Sequence, residues 1–309
     1  MQEKIGSVTL DYEYYPGKDF YSDGPVEEEL LEIAKKYRED ELNKVIAERN
    51  SWPVLYHFSH IRQKILEWAP ITKNDKVLEI GSGCGAITGV LARKAGEVTC
   101  IELSKMRSTI NAYRNRDCDN VKILVGNFQD IEKNMKETYD YITLIGVFEY
   151  ADGYIGTKEP YVEMLRRISA HLKPHGKVLI AIENRLGLKY WAGCTEDHVG
   201  KFFEGLEGYP ETNGVKTFSR KELSDIISRA GNFKTTFYYP YPDYKFPMTV
   251  YSDKFLPRKG ELKENFRNFD RARMQLFDET RVYDSLTDSG LFQEFSNSFL
   301  VVVEQEDAE

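Results

Sequence analysis

The sequence has few cysteines, no surplus of positive charge, and no hydrophobic run long enough to cross a bilayer. Its four cysteines, Cys84, Cys100, Cys118 and Cys194, form no Cys-x-x-Cys pair. That leaves a zinc knuckle and a thioredoxin-type centre without support and fits reduced thiols in a cytosolic protein. With 42 basic and 50 acidic residues, the formal charge is −8. Such a chain gains no general attraction to phosphate backbones, so no nucleic-acid partner is expected. No apolar stretch approaches the roughly 20 residues of a membrane span. The opening MQEKIGSVTLDYEYYPGKDF has no basic start followed by an apolar run, so it does not read as a leader. A cytoplasmic protein without a membrane span is expected. Internal repeats and low-complexity tracts are also missing.

What is present suffices for a core. Across 309 residues, 41% are hydrophobic, which supports one large domain with additions or two modest ones. Residues 1–70 read as an N-terminal arm and helical cover. Within them 1–24 form a loose arm, Val26–Arg49 an amphipathic helix, and Ser51 opens a second helix that Pro70 ends. Residues 71–239 then alternate strands and helices. Strands are expected at 76–80, 97–103, 121–125, 139–147, 177–182 and 233–239, and a seventh, NSFLVVVE, falls in the final segment 294–309. Residues 240–293 form an aromatic, then charged and helical, insertion, with 258–273 as a solvated helical face. Strands alternating with helices predict an α/β fold, a doubly wound and mostly parallel seven-stranded sheet.

The first strand runs into VLEIGSGCGAIT, residues 77–88. Glycine admits positive φ and bare backbone against a ligand, and the helix that follows offers free N–H groups to an anion. Gly81, Gly83 and Gly85 exceed what a plain turn needs. Gly81-x-Gly83-x-x-Ala86 fits the dinucleotide pattern, and Glu102, ending the second strand, could take ribose hydroxyls. That suits NAD and any other adenosine cofactor equally. Glu79 separates them: a carboxylate two residues before the first glycine repels a pyrophosphate and suits a cofactor with an ammonium and a sulfonium.

At this point the chain resembles the class I S-adenosylmethionine-dependent methyltransferases. The resemblance rests on VLEIGSGCGAITGVLA, on Cys100-Ile101-Glu102-Leu103-Ser104, on Val125-Gly126-Asn127-Phe128-Gln129-Asp130 and on YDYITLIGVFEY. It covers about residues 71–185, then 219–239 and the last strand, and implies that the last strand runs antiparallel. It also implies S-adenosylmethionine bound by Glu79, Gly81, Gly83, Gly85, Glu102, Leu103, Asn127, Phe128 and Val147. Asn127 stands where the family often has an acid against the adenine amino group. A wider likeness, from SWPVLYHFS through IENRLGLKYWAGC and EDHVGKFFEG to YPYPDYKFP, is to bacterial methyltransferases that accompany glycosyltransferases of surface-polysaccharide synthesis. It implies a sugar, nucleotide-sugar or glycan-linked hydroxyl as acceptor and an association with glycosyltransferases.

Ligands of open parallel sheets bind beyond the strand carboxyl ends, which directs attention to Phe148-Glu149-Tyr150 and Glu183-Asn184-Arg185. The segment 183–214 is long and rich in glycine, aromatics and charge, and such loops are often functional. His198 and Glu149 are the candidate catalytic bases. Tyr150, Asn184, Arg185 and Tyr190 are candidates for substrate binding, Arg185 alternatively for a structural ion pair. Methylation of an amine or a protein side chain, NAD-dependent oxidoreduction and cofactor binding without chemistry are the rivals. His57 and His60 lack a third partner, so no metal site is expected. The run Phe237–Phe246 reads as aromatic packing or, alternatively, as a stacking platform for a sugar.

Overall fold

Strands such as Val77-Leu78 and Val98–Ile101 are apolar on both faces, so each must be covered from both sides. Helices flank them in the sequence for that purpose. In the structure, a computed structural model, residues 1–19, 22, 24–265 and 273–306 are described. The chain divides into two compact units, Met1–Leu144 with His171–Gly176, and Ile145–Ala170 with Lys177 onward.

The first unit holds β1 (Gln2–Ile5), β2 (Val8–Asp11), β3 (Lys76–Ile80), β4 (Glu97–Glu102), β5 (Val121–Val125) and β6 (Tyr139–Ile145), in the order β1-β2-β5-β4-β3-β6. All neighbours run parallel except the hairpin β1–β2. Val77, Leu78, Val98, Cys100, Ile123 and Leu144 are fully buried. The helices Thr88–Lys94 and Lys105–Arg114 follow β3 and β4. The second unit contains β7 (Leu172–Glu183) from Lys177 on, β8 (Phe233–Tyr241), β9 (Thr249–Ser252) and β10 (Ser298–Gln305). There β10 lies antiparallel between β7 and β8, and β9 closes the edge beyond β8.

The seven expected strands are all present, but the described residues form ten. The surplus is β9, inside the insertion, and the hairpin β1–β2, where a loose arm was expected. The arm's alternation explains the hairpin: Ile5, Val8 and Leu10 are buried, and β2 pairs in parallel with β5. The helix expected over Val26–Arg49 is broken into Val26–Lys36 and Leu42–Arg49. The break lets Leu42 and Val45 join Leu30, Ile33, Val54, Phe58 and Cys84 in one apolar cluster. Within 240–293 a helix forms at Glu279–Asp288, and a second, Phe292–Phe295, crosses the boundary to the final segment. The expected helical face at 258–273 is not helical over 258–265, and 266–272 lie outside the described residues.

One distant residue secures the helix that follows β4. The Asp19 carboxylate accepts from the N–H groups of Lys105 (2.7 Å) and Met106 (3.1 Å) and from the Ser104 hydroxyl (2.9 Å). Burial pushes its pKa up, but those donors outweigh burial and leave it below the ordinary carboxylate value. Asp19→Ala should cost about 1 kcal/mol, as the loss of a helix N-cap does. Urea unfolding checks this.

Candidate active site

The turn after β3 is shaped by its glycines. Gly81, Gly83 and Gly85 have φ of 70°, 52° and 78°, values that side chains rarely adopt. A Cβ on Gly85 would stand 2.4 Å from Asn111 Oδ1, whereas one on Gly83 would meet nothing within 4 Å. The turn therefore packs tightly on one side and leaves bare backbone open on the other. The Glu102 carboxylate accepts from Gly83 N (2.7 Å) and Ser104 N (2.9 Å), which ties the end of β4 to the turn. Glu79 points into the core, accepting from Thr88 Oγ1 (2.6 Å) and Cys100 Sγ (3.4 Å). Burial raises its pKa to about 7.

In the second unit a knot of charge is buried. Glu149 lies in the turn Phe148–Tyr150 that follows β6, and Glu183 is the last residue of β7. His198 sits in the long segment after β7. The Glu196 carboxylate folds the backbone there, accepting from His198 N (2.7 Å) and Val199 N (2.8 Å), and lies 3.0 Å from the ring Nδ1. On the other side of the ring, Nε2 stands 3.4 Å from Glu149 Oε1 and 3.9 Å from Glu183 Oε2. Lys245 Nζ is 2.6 Å from Glu183 Oε1 and 3.1 Å from Asp197 Oδ1. Lys189 Nζ is 2.7 Å from Asp197 and 3.6 Å from Asp243. Glu149 and Glu183 are 1% and 0% exposed, and among the described residues neither Glu149 Oε2 nor Glu183 Oε2 has a hydrogen-bond partner. Burial alone would lower the His198 pKa, but Glu183, Glu149 and Glu196 outweigh it and hold the ring well above its ordinary value. Burial pushes Glu149 up against the pull of His198.

Comparison with known proteins places part of this chain. A family model described as a methyltransferase domain matches residues 78–178. Residues 78–178 form a methyltransferase domain. Its cofactor is S-adenosylmethionine. Among curated proteins, ribosomal RNA small subunit methyltransferase A of Borreliella burgdorferi (strain ZS7) is 36% identical over 98 residues, 31% of this chain and 35% of that protein. The same enzyme of Streptococcus thermophilus (strain CNRZ 1066) is 33% identical over 146 residues, 40% of this chain and 50% of that one. The chain thus spans between a third and a half of the length of these relatives. Among solved structures, a chain from the complex of the Haloferax volcanii Trm112 methyltransferase activator with a methyltransferase matches at a TM-score of 0.50 and 20% identity, over 88% of this chain and 99% of that one. A SAM-dependent methyltransferase from Archaeoglobus fulgidus matches at 0.50 and 13% identity, over 82% and 100%. Both share the fold.

The residues of the methyltransferase domain fit the cofactor. The open side of Gly83 admits a ligand against backbone, and each Glu102 oxygen keeps a lone pair for a ribose hydroxyl. Leu103, Phe128 and Val147 are half-buried. The Asn127 side-chain oxygen caps the helix Phe128–Glu132, accepting from Gln129 N at 3.0 Å, so its amide N–H groups are the part left to face a ligand. The charge argument for Glu79 changes in strength: at its raised pKa the carboxyl is only about half ionised at neutral pH.

Of the substrate-binding candidates, Tyr150 stacks edge-on to His198 at 5.5 Å, and the Tyr190 hydroxyl donates to Asp197. Asn184 and Arg185 do not reach the cluster. Both amide hydrogens of Asn184 go to main-chain carbonyls, of Glu294 and Ser296, at 2.8 Å, and Arg185 forms a two-point pair with Glu222 at 2.7 and 3.0 Å. Their side chains are committed to the fold. The stacking platform is not formed: Phe237, Tyr239, Tyr241, Tyr244 and Phe246 are buried. His60 Nδ1 pairs with Asn43 Oδ1 at 2.9 Å, and His57 is buried. Sequence reasoning missed Lys189, Glu196, Asp197, Asp243 and Lys245 as members of one cluster.

Glu79 makes a testable statement. Between pH 4.5 and about 7 the unfolded chain has released a proton that the folded chain keeps. Stability therefore falls as pH rises across that window and is flat above it. Without added cofactor, E79Q should gain on the parent by up to about 3 kcal/mol between pH 4.5 and 7.5, read from urea midpoints. A difference independent of pH would mean that Glu79 is already ionised in the fold.

Proposed function

We propose that this protein transfers the methyl group of S-adenosylmethionine to a hydroxyl of a small or glycan-linked acceptor, a sugar hydroxyl first of all. The observation that carries the reading is the pair of orphaned oxygens, Glu149 Oε2 and Glu183 Oε2, buried where the chain leaves β6 and β7. A buried acceptor without a donor costs about 1–3 kcal/mol, more when charged. A ligand bringing O–H or N–H groups removes that cost. The site lies where open α/β sheets take their ligands.

The cofactor supplies an electrophilic methyl group on sulfur. The remaining work is positioning and proton acceptance. Glu149 offers an unshared oxygen to the acceptor hydroxyl and takes its proton as the methyl bond forms. His198, surrounded by three carboxylates, has its ring nitrogens engaged and acts as a positioning residue for Glu149. Trp191, Phe202 and Phe203, in the same long segment, remain 45%, 50% and 42% exposed. Exposed aromatic faces beside polar groups suit a sugar ring, apolar on its faces and hydroxylated at its edge. The association with glycosyltransferases belongs to this reading and is supported by the sequence likeness alone. An amine acceptor is the second reading, favoured by the excess of carboxylates in the cluster. The acidic chain gives RNA no general attraction, and the RNA acceptor named for the curated relatives belongs to those proteins, of which this chain spans between a third and a half.

Deuteromethyl cofactor and a panel of sugars, nucleotide-sugars and glycans should yield a labelled ether detectable by mass spectrometry. Glu149→Gln should lower kcat by about 10²–10⁴-fold, the usual contribution of a positioned base, with cofactor affinity unchanged by calorimetry. Labelled amines in place of ethers, or full turnover by the Gln variant, would overturn the hydroxyl reading.

A further inference from the structure

The charged cluster of the second unit does not balance. Glu149, Glu183, Glu196, Asp197 and Asp243 are set against Lys189, Lys245 and His198. Among the described residues, five carboxylates face three cationic groups. Buried charge without compensation costs several kcal/mol per ion, and this surplus gathers on one side. Lys189 and Lys245 serve Asp197, Asp243 and Glu183 Oε1. Among the described residues, the cationic partner of Glu149 and of the second oxygen of Glu183 is the His198 ring.

We infer that Glu149, Glu183 and His198 form a binding site for a divalent transition-metal ion, of the Mn2+ or Zn2+ class. One ligand atom from each lies within 4.8 Å of the others. With metal–ligand bonds of about 2.0–2.2 Å, the ligands of a tetrahedral ion stand about 3.4 Å apart. The separations from His198 Nε2, 3.4 Å to Glu149 Oε1 and 3.9 Å to Glu183 Oε2, meet this within a few tenths of an ångström. The donor set, one imidazole nitrogen and two carboxylate oxygens, matches borderline ions rather than Ca2+ or Cu(I).

A second, independent feature comes from the far side of the ring. Metal-bound histidines almost always give their other N–H to a carboxylate or carbonyl, which fixes tautomer and orientation. Glu196 Oε1 stands 3.0 Å from His198 Nδ1 and is itself held by the Tyr209 hydroxyl at 3.1 Å. Glu183 Oε2, in a side chain 0% exposed and without a hydrogen-bond partner among the described residues, is the polar atom an ion would satisfy, while Glu149 meets the ion through Oε1. Binding displaces the imidazole proton, as metal sites generally do, and leaves Lys245 on its own oxygen of Glu183. An ion held by three protein ligands retains open positions for a ligand oxygen. An acceptor hydroxyl bound there becomes more acidic.

The test uses the full chain, stripped with chelator and titrated with MnCl2, free Mn2+ being read by electron paramagnetic resonance, and separately with ZnCl2 by calorimetry. One ion per chain is expected. Glu149→Gln and Glu183→Gln should each weaken binding at least tenfold. Glu196→Gln, which leaves all three ligands in place, should weaken it about 10–100-fold, the range seen for such supporting partners. Thermal melting of each variant confirms folding. No saturable binding by the folded parent would overturn the site. So would one-site binding that Glu149→Gln and Glu183→Gln leave unchanged, since the ion would then lie elsewhere. Because the readout is the metal alone, it stands or falls separately from the sugar-hydroxyl reading.

Discussion

The second unit is organised by the burial of charge that is unequal in sign. Removing a carboxylate or an ammonium from water costs several kcal/mol even after relaxation, and only close partners with good geometry recover it. The chain meets that demand by bringing together groups from three segments: the residues after β6 and at the end of β7, the long segment that follows, and the turn after β8. Lys189 is buried, and two carboxylates hold it positive against the effect of burial. Burial would raise the Asp197 pKa, but Lys189, Lys245 and the Tyr190 hydroxyl outweigh it and hold it well below the ordinary value. The segment between β7 and the helix Arg220–Ala230 is therefore ordered by these polar contacts as well as by buried apolar residues such as Leu188, Ala192 and Phe218. Phe203 and Tyr209 adopt φ of 63° and 62° there. Such left-handed residues cost about 1–2 kcal/mol each, and Tyr209 is held in place by its hydroxyl, bound to Thr217 and Glu196.

The cofactor turn obeys a different constraint. Its polarity comes from backbone: glycines in left-handed conformations expose N–H groups, and the Glu102 carboxylate collects two of them. Glu79, the residue whose charge separates an adenosyl sulfonium from a dinucleotide, is turned toward Thr88 and Cys100. Its burial leaves the carboxyl close to half-ionised at neutral pH. A cationic guest nearby would favour the ionised form, so the side chain's contribution depends on the ligand it meets.

Much of this was legible in the sequence because it is local. The seven apolar runs became seven strands, since a strand's period and its flanking turns are written within ten residues. The glycine turn and Glu102 were legible for the same reason. The hairpin β1–β2 was not: its strands are four residues each and its turn Gly6-Ser7 sits in polar, aromatic surroundings. His198 and Glu149 were singled out as residues with chemistry at strand ends, yet their relation was invisible. Glu183, Glu196, Asp197, Asp243 and Lys245 are spread over some sixty positions, and only β7, β8 and the turns after them bring them together. Asn184 and Arg185 showed the opposite error. They occupy the expected edge, but their donors are consumed by Glu294, Ser296 and Glu222, a competition that no local pattern reveals.

The aromatic run 237–246 shows how packing and charge are joined. Tyr239 and Tyr241 meet Phe292, Phe299 and Tyr283 edge-on, at centroid distances of 5.7 to 6.2 Å, and Tyr241 donates to Asn265. These contacts fix the end of β8. From there Asp243 Oδ1 accepts from Lys245 N at 2.8 Å, a turn that sends Asp243 and Lys245 back into the charged cluster. Tyr244, between them, lies against Gly146, where φ is 70° and a Cβ would stand 2.7 Å from the phenol oxygen. Glycine is therefore required one residue before Val147 and three before Glu149. The apolar rings do not offer a surface to a sugar. They hold a short polar turn in register, so that a lysine and an aspartate arrive among buried carboxylates that would otherwise lack their counter-charge.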